Sequence, residues 1–87
     1  MVILFRDSAW KHRIDRARAR YVMEHCVCPL YPDSEEDDRI LFLGPDANGV
    51  PLEVVAVERA DGGWVVIHAM RLRPGYAAAY EEEMRCR

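Results

Sequence analysis

The spacing of hydrophobic positions changes period along this chain, and each change marks an element. From Ser8 to about His25, Trp10, Ile14, Ala17 and Tyr21 recur at helical spacing. That pattern predicts a helix capped by Asp7 or Ser8, whose side-chain oxygen can take a free N–H of the first turn. Alternatively the chain breaks at His12–Asp15, and Asp15 caps a second helix over residues 16–25. Pro29 and Pro32 end helical possibilities, and residues 33–38 (DSEEDD) form a solvated acidic loop. Val27 to Tyr31 offers a further short strand.

Beyond the loop the period falls to two. Arg39 to Leu43, Leu52 to Arg59 and Trp64 to Arg71 read as strands, separated by Asn48-Gly49 and Asp61-Gly62-Gly63. Asn-Gly is the strongest short hairpin signal, so strands 39–44, 52–59 and 64–71 should pair as an antiparallel meander. Regular alternation in the last strand groups Trp64, Val66, His68 and Met70 on one face, with Val65, Ile67, Ala69 and Arg71 on the other. Glu53 and Glu58 mark positions that meet solvent or a partner. Pro74 suits the first turn of a final helix, in which Tyr76, Tyr80 and Met84 stack. The fold class is α+β: an N-terminal helix or helix pair, a three- to four-stranded antiparallel meander sheet, and a C-terminal helix.

Length and composition bound the picture. Residues 1–87 suffice for a single domain, and 51% apolar with 31% charged residues excludes a disordered chain. No uncharged apolar run approaches the ~20 residues that span a bilayer, which excludes a membrane partner through a spanning helix. The opening residues lack the basic flank of a signal peptide, so a cytoplasmic location is expected. Three cysteines (Cys26, Cys28 and Cys86) make neither an even disulfide set nor a paired zinc signature, and inert thiols are the expectation.

The net charge of −3 speaks against nucleic-acid binding, but its distribution changes that conclusion. Residues 1–20 carry six basic against two acidic side chains, and residues 21–38 carry six acids and no base. Segregation of this kind creates a local positive surface. Lys11, Arg13 and Arg16, with Arg20 beyond, form a basic stripe that suits phosphate backbone, or equally a solvated helix face. Around the junction of the last strand and last helix stand His68, Arg71 and Arg73. Cleavage of RNA by attack of a 2′-hydroxyl needs a proton acceptor, a proton donor and positive charge near the phosphorane, and histidine with arginine supplies these. The plainer alternative is a half-buried His68 with a satisfied hydrogen bond, and arginines paired to Glu81 or Glu83. Nothing in the sequence signals a metal, phosphate-loop or dinucleotide site.

A family resemblance follows from these pieces taken in order. Trp10-Lys11-His12-Arg13-Ile14, the strand at residues 40–44 (ILFLG), Asn48-Gly49 before Leu52-Glu53-Val54-Val55, and residues 66–76 (VIHAMRLRPGY) with an acidic final helix resemble the BrnT-like toxins of bacterial type II toxin–antitoxin modules. The likeness runs from about Ala9 to Glu83. It implies a RelE-like ribonuclease fold, RNA cleavage that halts translation, no cofactor and no metal. It also implies a cognate antitoxin as partner, and RNA, free or ribosome-associated, as substrate. An open sheet edge allows a homodimer as well. The expected catalytic residues are His12, His68, Arg71 and Arg73, with Lys11, Arg13 and Arg16 on flanking RNA. A non-catalytic interaction module sharing the fold is the alternative.

Overall fold

The chain opens on a strand, β1 (Ile3–Phe5), and the predicted N-terminal helix from Ser8 does not form. This computed structural model describes all residues from Met1 to Arg87. Residues Asp7–Trp10 make only a 3₁₀ turn, and Arg13 then takes the left-handed conformation (φ 60°), which no α-helix passes through. Regular helix begins at α1 (Arg16–His25), where the Asp15 carboxylate accepts the Arg18 backbone N–H at 2.8 Å.

Three strands form the antiparallel meander: β2 (Arg39–Pro45), β3 (Pro51–Glu58) and β4 (Trp64–Arg71). Gly49 and Gly62 take positive φ in the two connecting turns. Asp46 closes the first by accepting the N–H groups of Asn48 and Val50 and the Arg18 side chain. The sheet as a whole is mixed, not purely antiparallel. Its order is β1-β4-β3-β2, with β1 parallel to β4 on the free edge that the meander leaves. Gly63 permits this approach, since a Cβ there would stand 2.8 Å from the Val2 carbonyl oxygen. Val27 to Tyr31 supplies no strand. Leu30 alone bridges Leu41, because the next ladder position on one side is Pro32, which has no N–H, and on the other is Cys28, whose N–H donates to Glu83.

One face of the sheet carries the core. Ile40, Phe42, Leu52, Val54, Ala56, Val66 and Ala69 pack under Ala19, Val22 and Met23 of α1, with Ile3, Ala9 and Ile14 completing the cluster. Val66 and Ala69 are three residues apart, which strict alternation forbids. A β-bulge resolves the conflict: Val55 faces His68 and Ala56 faces Val66, so Ile67 is an extra residue. The predicted grouping of Val66 with His68 is therefore wrong, and His68 lies on the face opposite the core.

A 3₁₀ turn at Pro74–Tyr76 leads into α2 (Ala77–Cys86), which packs against β2. The helix is anchored by a buried knot. Glu83 accepts the backbone N–H groups of Val27 and Cys28, the Cys26 thiol and the Arg87 guanidinium. Cys28 and Cys86 form a disulfide across 58 residues, contrary to the expectation of inert thiols. Only Cys26 remains free, its thiol pushed up to about 11 by burial and by Glu83. Closing a loop of this length restricts the unfolded chain by about 4 kcal/mol in the entropy model. Cys86→Ser should accordingly lower the denaturant midpoint sharply, and excess dithiothreitol should reproduce the loss in the wild type. Unchanged midpoints would show that the bridge adds nothing.

The knot also sets an acid limit. Burial opposes ionisation of Glu83, but hydrogen bonds from Arg87, Cys28, Val27 and Cys26 prevail and hold its carboxyl below the usual range. At Asp46 the Val50 N–H contributes most, with the Arg18 and Asn48 bonds adding to it against burial, and its carboxyl is lowered too. Carboxyls lowered by folding stabilise the protein above their unfolded values, and that contribution disappears as pH falls through the folded ones. Stability should therefore decline below about pH 5. Glu83→Gln should flatten the decline while weakening the fold at neutral pH, as pH-dependent thermal unfolding would reveal. No helix is long and apolar enough to cross a membrane.

Candidate functional site

The sheet face opposite the core carries a cleft of about 640 Å³. Leu41, Val55 and Ile67 make its apolar floor, one residue from each meander strand. Tyr31, Asp33, Asp37 and Arg39 stand at one end, and His68, Arg73 and Tyr76 at the other.

The bulge governs the second end. It displaces Ile67 and turns His68 away from the core, and Ser8 Oγ donates to the Ile67 carbonyl at 2.9 Å. That bond ties the 3₁₀ turn of residues 7–10 to β4, and the chain that follows brings the His12 ring edge-on to His68, centroids 5.5 Å apart. Two histidines 56 positions apart thus become neighbours.

Glu53 joins His68 to Arg73. It lies on β3, fully buried, and its Oε1 accepts Arg73 Nε at 2.6 Å with His68 Nε2 at 3.4 Å. Its Oε2 is buried with no hydrogen-bond partner. The strand position of Glu53 predicts contact with solvent or a partner. Burial overturns the first, because β3 is a central strand and His68 and Arg73 close over the carboxylate. Its side chain points to the His68 side because Val55, two residues on, lies opposite His68. The Arg73 side chain remains 52% exposed, with its guanidinium 5.5 Å from the centroid of the Tyr76 ring. Its outer nitrogens stay open to the cleft.

The remaining predicted residues divide. Arg71 pairs in register with buried Leu52 and so shares the Leu52 side of the sheet. The strand ends there, and the chain turns after Arg71 so that Arg73 reaches Glu53 on the other side of the sheet. Arg71 is exposed, without a carboxylate partner, and away from the cleft. Lys11 and Arg13 flank His12 on a shallow groove beside Asp7 and Trp10. Arg16 lies further along, its guanidinium 5.6 Å from the Phe5 ring centroid. Arg20, at the far end of the stripe, is engaged by Glu24, and the neighbouring Arg18 by Asp46.

A buried carboxylate that orients an imidazole and a guanidinium, with a second imidazole beside them, can move protons at an anionic ligand and neutralise charge on it. No three His, Cys, Asp or Glu side chains converge closely enough to hold a metal ion. Sequence reasoning missed Glu53, and the available signal was a lone acid inside the run Leu52–Val57 of a strand with neighbours on both sides.

Fold and cleft thus define a small α+β protein with a mixed four-stranded sheet and a histidine–arginine–carboxylate centre. Against known proteins, the chain matches no family model, no curated protein and no solved structure.

Proposed function

We propose that this chain is the toxin of a bacterial type II toxin–antitoxin module, similar to the BrnT-like toxins, and that it acts in the cytoplasm by cleaving RNA. One of His12 and His68 takes the proton of a ribose 2′-hydroxyl as the O2′–P bond forms. The other gives a proton to the departing O5′ as the P–O5′ bond breaks, leaving a 2′,3′-cyclic phosphate and a 5′-hydroxyl. Arg73 neutralises the phosphorane, and Lys11 with Arg13 and Arg16 holds neighbouring phosphates. The observation that carries this reading is the contact of His12 with His68 beside the Glu53–Arg73 pair. A cognate antitoxin with an acidic segment would neutralise the protein by covering the basic stripe.

A non-catalytic interaction module has two observations in its favour. Glu53 already engages Arg73, and the acids of residues 33–38 flank the cleft, which weakens attraction for a polyanion. Induction in bacteria, with and without the product of the adjacent gene, separates the two. Growth arrest with loss of bulk RNA, relieved by the neighbour, supports the toxin. Normal growth at high soluble expression would leave the interaction module.

A further inference from the structure

The far end of the cleft matters to the same reaction, since a scissile phosphate at His68 and Arg73 brings an attached base with it. We infer, resting on the ribonuclease reading above, that this end is a guanine subsite. A volume of about 640 Å³ lies within the range of ligand pockets and holds a nucleotide with room for solvent. Its floor of Leu41, Val55 and Ile67 is apolar, and the exposed Tyr31 ring offers a stacking surface, as unpaired RNA bases require.

Two polar groups at that end set the identity. Asp33 has no hydrogen-bond or ion-pair partner, so both of its carboxylate oxygens are free to accept. Arg39 is held in a fork by Asp37, through Nε at 3.0 Å and Nη2 at 3.3 Å, with Nη1 left over as a donor. The same fork holds the Asp37 carboxyl below its usual range, so the pair stays charged at neutral pH. An acceptor pair and a donor lining the same end of the cleft complement only one base edge. Guanine presents N1–H and N2–H side by side with the O6 acceptor adjacent, whereas adenine, cytosine and uracil each offer a single donor nitrogen there. The Leu30–Leu41 bridge fixes the segment that carries Tyr31 and Asp33 against β2.

The test titrates the whole chain with 3′-GMP, 3′-AMP, 3′-CMP and 3′-UMP, following backbone amide shifts, and in parallel maps cuts in an RNA containing every dinucleotide step. A bidentate carboxylate contact discriminates by about 1–3 kcal/mol, so 3′-GMP should bind about tenfold tighter or better and shift Leu41, Val55 and Ile67. Asp33→Asn should erase that preference, with an unchanged amide spectrum elsewhere certifying the fold. Cleavage without base preference, together with equal binding of the four nucleotides, overturns the subsite and leaves the ribonuclease standing. Selective 3′-GMP binding without any cleavage supports the subsite and removes the nuclease. Failure of both removes both.

Discussion

Replacing His68 by alanine should lower RNA cleavage by about 10²–10⁴-fold, the usual contribution of a positioned proton-transfer group. The ring is partly exposed, and its one polar contact is the long one to Glu53, so the fold should survive the loss. His12→Ala should lower the rate by a similar factor, for a second reason as well, because its ring rests against His68. If each histidine moves one of the two protons, the double variant should fall little further than either single one, since groups acting as a unit are not additive. The readout is initial rate on a short RNA, with circular dichroism and thermal unfolding as fold controls. Retained activity in both single variants would show that proton transfer resides elsewhere.

The second large effect runs in opposite directions for activity and stability. Glu53 is a buried carboxylate with one oxygen unsatisfied, an arrangement that costs stability wherever it occurs. Its cross-strand neighbours are Leu43 and Met70, both apolar. Glu53→Met should therefore stabilise the protein by about 1–3 kcal/mol, and a gain of that size moves the midpoint of an 87-residue chain by about 4–8 °C per kcal/mol. Cleavage should fall in the same variant, because His68 and Arg73 lose the acceptor that aligns them. Glu53→Ala should lose activity too, but destabilise, since it leaves a cavity. A Glu53→Met protein that melts below the wild type would show that the carboxylate contributes to stability as well as to the site.

What the sequence made legible depended on locality. The meander was readable because each of its turns is written in adjacent residues, Asn48-Gly49 and Asp61-Gly62-Gly63. Asp15 as a helix cap was readable for the same reason. Three features were not. The parallel strand β1 is three residues long and depends on an edge vacated by a strand 60 positions away. The bulge at Ile67 breaks an alternation that the sequence alone presents as unbroken. The Cys28–Cys86 bridge requires knowing where α2 ends against the segment after α1. At the site, His68 and Arg73 stood out by residue type and position and His12 through the family resemblance, but Glu53 was misjudged because the pattern of a β-strand does not reveal which side chains close over it. Arg71 was grouped with Arg73 as the basic pair at the strand-to-helix junction, and the chain turns between them.

The parallel pairing of β1 with β4 has a consequence in time. Synthesis delivers residues 3–5 first, yet their only strand partner is made some 60 residues later. Pairings of such long sequence separation close late, after local hairpins have formed. The 3₁₀ turn that brings His12 to His68 is tethered through Ser8 to that same late strand. The nascent chain can thus complete its meander before β1 docks, and the histidine–arginine–carboxylate centre is not assembled until it does. A cell making this protein therefore meets first an intermediate in which the meander is closed and the two histidines are still separate.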